Sequence, residues 1–106
     1  MIFSVSGSLL DFLVLAVLNQ EDTYGYILTQ RVKNVIEISD STLYPVLRRL
    51  MKDGLLTTYD QPFQGRNRRY YSITETGRKQ LALFTEEWEH HKAQIDFILE
   101  GGIRHD

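Results

Sequence analysis

The chain has 106 residues, enough for one domain with a modest core and too few for a roomy active site within a single chain. A hydrophobic content of 42% and a charged content of 25% argue against disorder, and the absence of cysteine excludes disulfides and thiolate metal sites. The net charge of −2 is unevenly spread: residues 31–79 carry ten Lys/Arg against five acids, while residues 1–30 carry three acids and no base, and residues 80–106 six acids and two bases.

A basic middle between acidic ends is the layout of a docking surface for phosphates with assembly segments held away from it. Scatter on a solvated surface is the plainer reading of the same charges.

Residues 1–6 read as a loose lead-in. A first helix is expected from near Gly7 or Ser8 through Leu18, apolar over more than one face. One face meets the domain's own core. Leu10, Phe12 or Val14 are the candidates for a further partner, although a central core helix would look the same. The apolar stretch Leu9–Leu18 is interrupted by Asp11 and is too short to span a bilayer, and nothing before Arg31 is basic, as a signal peptide would be. A cytoplasmic protein with no membrane partner is expected.

Asn19-Gln20-Glu21-Asp22 is a polar turn, with Thr23 the expected cap of a second helix over Tyr24–Val32. Gly25 leaves room there for close packing. Ile36 and Ile38 bracket Glu37 in a short linker. In the third helix Leu43, Val46, Leu47, Leu50 and Met51 form one apolar stripe, with Pro45, Arg48, Arg49 and Lys52 pointing away. The Pro45 ring opposes the carbonyl of Ser41, which predicts a start at Thr42, or at Ser41 if the first turn is distorted; Gly54 is the stop. Arg49 and Asp53 are spaced as an i, i+4 ion pair. Three helices with polar connections, the third basic outside, are arranged as a helix-turn-helix.

After Gly54 the period falls to two. Leu55–Tyr59 and Arg69–Thr74 predict a β-hairpin with a long tip over residues 60–67, one face of the second strand holding Tyr71 and Ile73. Arg66, Arg68 and Arg69 crowd this tip, as a wing beside phosphates would require. Thr74 or Thr76 caps a last long helix whose Leu81, Phe84, Trp88, His91, Ile95 and Ile98 recur every three or four residues. Such a seam predicts pairing with a second copy in a C2 dimer. Gly101-Gly102 ends it. The expected class is α+β, mainly α: a winged helix-turn-helix over residues 8–75 with a two-stranded wing, and a dimerisation helix over 76–100 packed on the first helix as a single unit.

Tyr24-Gly25-Tyr26, Ser41-Thr42-Leu43-Tyr44-Pro45-Val46-Leu47-Arg48-Arg49-Leu50, Asp53-Gly54-Leu55, Gly65–Thr74, Gly77 and Ile95–Gly102 together resemble the PadR family of winged-helix transcriptional regulators, in its short-chain subgroup. The resemblance spans residues 8–102. It implies a homodimeric repressor on palindromic operators, with the third helix in major grooves and the wing on the backbone. It places Ser41, Thr42, Tyr44, Pro45, Arg48, Arg49 and Lys52 of the helix, and Arg66, Arg68 and Arg69 of the wing, against double-stranded DNA.

The resemblance further implies a flat aromatic compound held at the dimer interface, with Trp88 at the subgroup's interface position and Asp11, Phe12, Phe84 and Lys92 as neighbours. Bulky Phe84 and cationic Lys92 depart from the drug-responsive pattern, and Phe84 has the size to fill part of such a cavity. A seam tryptophan is also ordinary interface core, and both readings of Trp88 stand here. Glu87 and His91 are i, i+4 neighbours beside His90, but no third ligand is suitably spaced, so no metal is expected. No cofactor is called for. The chain has no Gly-rich phosphate loop and no paired acids, so it does not read as an enzyme. A winged helix used only for protein interaction is the alternative, distinguished by salt-insensitive association.

Overall fold

The structure, a computed structural model, describes residues 8–102; the lead-in expected over residues 1–6 lies outside them. Four helices and three short strands follow in the order α1 (Ser8–Gln20), β1 (Thr23–Tyr24), α2 (Gly25–Lys33), α3 (Asp40–Lys52), β2 (Leu56–Phe63), β3 (Arg66–Ile73) and α4 (Glu75–Leu99). This is the mainly helical winged helix-turn-helix expected, with one strand more than expected.

The core forms where the apolar faces of α1, α2 and α3 meet the inner face of the sheet. Leu10, Val14, Leu15 and Leu18 of α1, Leu28 and Val32 of α2, Leu43, Val46, Leu47 and Leu50 of α3, and Leu56, Tyr71, Ile73 and Leu81 are all buried. Each fully buried leucine stabilises the fold by about 2 kcal/mol. Leu10 and Val14 are 1% and 0% exposed, so their partner is the domain's own core and not a second molecule. Of the three candidates on α1 only Phe12 faces elsewhere. It packs edge-on against Phe84 of α4, ring centroids 6.2 Å apart.

Thr23 does not cap α2, and Tyr24 is not inside it. Both form β1, which pairs antiparallel with β3 in the register Thr23↔Tyr71 and Tyr24↔Tyr70, so the sheet order is β1-β3-β2. A two-residue strand carries no periodicity of its own; its partner on β3 creates it. Gly25 opens α2, and a Cβ there would meet the Tyr71 ring at an ordinary 3.6 Å. Lys33 and Asp40, 2.7 Å apart, close the turn between α2 and α3.

Helix α3 starts earlier than the proline rule predicts. Its N-cap is Ser39, and both Ser41 and Thr42 lie within the helix. The Ser39 carbonyl accepts from the backbone N–H groups of both Thr42 and Leu43, at 3.1 Å each. The helix therefore absorbs Pro45 by tightening its first turn rather than by starting after Ser41. Its end follows the sequence. Gly54 has φ +77°, Leu55 N–H donates to Leu50 O at 2.9 Å and Gly54 N–H to Met51 O at 3.1 Å, the Schellman pattern.

The wing is longer, and its tip shorter, than expected. Residues 60–63 and 66–68 continue the strands through pairs such as Asp60↔Arg69 and Phe63↔Arg66, leaving a two-residue turn at Gln64-Gly65. Both turn residues have positive φ, 51° and 78°, as a type I′ turn requires. Asp60, Gln61 and Pro62 have little strand propensity; pairing with β3 overrides it.

Thr74 caps α4 by accepting from Gly77 N–H at 3.0 Å, and its hydroxyl donates to Gly54 O at 2.7 Å, tying the helix start to the end of α3. At 25 residues α4 is about 37 Å long. Its first half lies on α1; its last turns stand in solvent. No described helix is long and apolar enough to cross a membrane.

Candidate nucleic-acid interface

The outward face of α3 follows from its buried one. Because Leu43, Val46, Leu47 and Leu50 point inward, Ser41, Thr42, Tyr44, Pro45, Arg48, Arg49 and Lys52 are all exposed. At the helix start the Ser39 hydroxyl bonds the Ser41 hydroxyl at 2.9 Å and the Thr42 hydroxyl at 3.1 Å. Three hydroxyls on a helix N-terminus suit a phosphate oxygen, through the donors and the helix dipole together. Ser39 is not legible in the sequence as the cap, because the Pro45 clash predicts a helix start beyond it.

The basic residues divide into engaged and unengaged. Among the described residues, no ion pair or side-chain hydrogen bond involves Arg48, Lys52 or Arg66. Arg49 is different. Its partner is not Asp53 one turn on but Asp11 of α1, held by two parallel bonds, Nη2 to Oδ1 at 2.6 Å and Nη1 to Oδ2 at 3.1 Å. The hydrogen bond to Asp11 raises the Arg49 pKa from its ordinary value despite partial burial, and the charges of Asp11 and Asp53 act in the same direction. With Arg49 46% exposed, solvent screening limits such a pair to on the order of 1 kcal/mol. A phosphate at Arg49, or a ligand at Asp11, would have to compete with it.

The wing arginines are also separated. Alternation along β3 puts Arg66 and Arg68 on one face and Arg69 on the other, where its Nε lies 3.7 Å from Asp60, its cross-strand partner. The Arg68 guanidinium sits 3.6 Å from the Phe63 ring centroid and 4.2 Å from that of Tyr24. The same face continues through Tyr70, which packs edge-on with Tyr24 at 5.8 Å and stacks on Tyr59 at 5.5 Å. Tyr59 ends the row by donating its hydroxyl to Asp22 at 2.8 Å, a bond that raises its pKa above the usual value. Tyr71, on the opposite face, is core, and burial pushes its pKa up. The two ends of this row are not visible in the sequence: Tyr24 joins it through β1, and Phe63 and Arg68 through strand pairing that extends beyond the expected strands.

On α4 the expected seam changes character along its length. Leu81 is buried, Phe84, Trp88 and His91 are half-buried, and Ile95 and Ile98 are 49% and 67% exposed. Phe97 and Leu99 join these exposed side chains. Phe12, Phe84 and Trp88 come together, with Phe12 6.4 Å from the indole. Asp11 borders this cluster in sequence but its carboxylate turns to Arg49, and Lys92 is exposed one turn beyond Trp88. His90 and His91 rings are 5.7 Å apart. No group of three His, Cys, Asp or Glu able to hold a metal occurs among the described residues.

A recognition helix with an exposed basic face, beside an arginine-bearing hairpin, defines a winged helix-turn-helix DNA-binding protein. The comparisons agree with that class. Residues 14–83 match the transcriptional regulator PadR-like family. A solved protein from Streptococcus mutans is 47% identical with a TM-score of 0.87, each chain covered completely. A solved PadR family transcription regulator from Clostridium difficile is 28% identical with a TM-score of 0.77, covering 85% of this chain and 97% of that one. An uncharacterized protein from Lysinibacillus sphaericus is 35% identical over 97 residues, 87% of this chain and 89% of that protein. The chain belongs to the PadR-like family: it is a DNA-binding transcriptional regulator and not an enzyme.

Proposed function

We propose that the protein is a homodimeric repressor that binds an inverted-repeat operator, with residues 8–75 reading the DNA and residues 76–100 forming the dimerisation helix. The α3 helix of each copy lies in a major groove, where Arg48 faces base edges or phosphates and Ser41, Thr42, Tyr44 and Lys52 bond the backbone. Arg66 at the wing tip meets the flanking phosphates. The observation that carries this reading is the set of unengaged cations, Arg48, Lys52 and Arg66, on a chain whose other basic residues of α3 and the wing are engaged. Charges held exposed without acidic partners are suited to phosphates.

Dimerisation is supported by the exposed Ile95, Ile98 and Leu99 at the end of α4, which share one helix face at i, i+3 and i+4 that a second copy would cover. The same reading gives the dimer a small-molecule input, a flat aromatic compound stacking at Phe12, Phe84 and Trp88 that relieves repression. Trp88 is the only tryptophan, so its fluorescence reports such binding directly. A panel of planar aromatic compounds that leaves the emission unchanged would show that the cluster takes no such ligand.

Selection of binding sites from random duplexes tests the function as a whole. Enrichment of an inverted repeat is the expected outcome. Enrichment of nothing, together with salt-insensitive capture by a protein partner, would instead make this a winged-helix interaction module.

A further inference from the structure

We propose that the Asp11–Arg49 pair is a positioning strut: Asp11 on α1 fixes the orientation of α3, and Arg49 affects DNA recognition through that orientation rather than by touching DNA. The inference rests on the DNA-binding reading above. Three observations carry it.

The first is geometry. Two parallel bonds between a planar guanidinium and a carboxylate fix direction as well as distance, which a single contact cannot do. The second is the asymmetry of burial. The Asp11 side chain is 14% exposed and that of Arg49 46%, so the anchor lies on α1 and the arginine reaches down to it from α3. Without Arg49 the more buried carboxylate would lose its partner, so opening the pair is resisted chiefly at the Asp11 end.

The third is what else holds α3. Leu43, Val46, Leu47 and Leu50 attach it by non-directional apolar packing, which tolerates small rotations. Among the described residues, the links between a side chain of α3 and a side chain of another helix are Lys33–Asp40 at its start, made by a flexible lysine, and Arg49–Asp11 near its end. The Thr74 hydroxyl on Gly54 O holds only the backbone just past the helix end, so the strut is the directional tie made by an α3 side chain. Arg48, the adjacent residue, is left to face the groove, and a rotation of α3 would move it.

The strut also links α3 to the aromatic cluster. Asp11 precedes Phe12, whose ring lies against Phe84 and Trp88 of α4.

The test uses the full chain, the duplex selected by the wild-type protein, and a scrambled duplex, each titrated across salt concentrations with Asp11→Asn, Arg49→Lys, Arg49→Ala and the Asp11→Asn/Arg49→Lys double variant. Circular dichroism first establishes that each variant is folded. The strut predicts that Asp11→Asn or Arg49→Lys alone weakens binding to the selected duplex about tenfold. Binding to scrambled duplex and the salt slope stay unchanged, and the double variant is no worse than the singles. Loss of stability alone would not change the ratio of selected to scrambled affinity in folded protein. If Asp11→Asn fails to fold, Asp11→Glu makes the same comparison from the α1 side, because it keeps the charge and displaces the fork without touching Arg49.

Wild-type affinity in both Asp11→Asn and Arg49→Lys would overturn the strut while leaving the DNA reading intact. So would a reduced salt slope in Arg49→Ala without any effect of Asp11→Asn, which marks a direct phosphate contact. A wild-type protein that binds neither duplex would remove the DNA reading, and the strut with it.

Discussion

Arg48 and Arg49 are neighbours in sequence, both exposed, and the same in composition-level terms; their partners separate them. Arg48 makes no ion pair among the described residues, and Arg49 is forked onto Asp11. Arg48→Ala should therefore weaken duplex binding and lower the slope of log affinity against log salt by about one per copy, or about two for a dimer, in a fluorescence anisotropy titration. An unchanged slope would remove Arg48 from the interface. Gly77 shows the same dependence on surroundings. A Cβ there would overlap the Leu55 carbonyl oxygen and lie 2.7 Å from Ile73 Cγ1, while its N–H is bonded to Thr74. Gly77→Ala should cost about 3 kcal/mol, read as a lowered urea midpoint, because backbone rather than a flexible side chain is in the way. The Asp11 partner of Arg49 was not legible in the sequence, being 38 residues away, whereas Asp53 sat at ordinary helical spacing. Local pattern names the nearest acid; tertiary packing chooses the one it can bury.

At the scale of elements, the back of α3 was legible because four of its five stripe residues have no alternative to burial, and Met51 at the stripe's edge is half-buried. The period-two alternation of β3 likewise separates Tyr71 from Tyr70 in the sequence itself. The start of α3 was not legible, since the clash at Pro45 depends on how tightly the preceding turn is wound. Strand β1 and the outer parts of the wing exist through pairing, which no window of a single segment records. The wing turn retains a local imperfection: Gln64 occupies a left-handed conformation, φ 51°, that glycine and asparagine adopt more readily. Gln64→Asn should stabilise the protein by about 0.5 kcal/mol, visible as a raised melting temperature, and leave DNA affinity unchanged. Destabilisation by this change would mean that the turn is not type I′.

In the whole molecule, α1 joins the winged helix-turn-helix to the long helix α4. The long helix that the sequence predicted is present, but a single chain covers only its first turns, through Leu81, Phe84 and Trp88, and leaves Ile95, Phe97, Ile98 and Leu99 exposed. Ile95→Asp with Ile98→Asp changes residues already in solvent in one chain, so the domain should still fold. It should sediment as a monomer and lose at least tenfold in operator affinity through lost pairing of half-sites. Two α3 helices held by that seam would present their basic faces about one DNA turn apart, roughly 34 Å. Hydroxyl-radical footprinting of the selected duplex, with stoichiometry measured on the same complex, tests this most directly. A homodimer on an inverted repeat should give two symmetric protected patches about one helical turn apart and two chains per duplex. A single protected patch with one chain bound would contradict it.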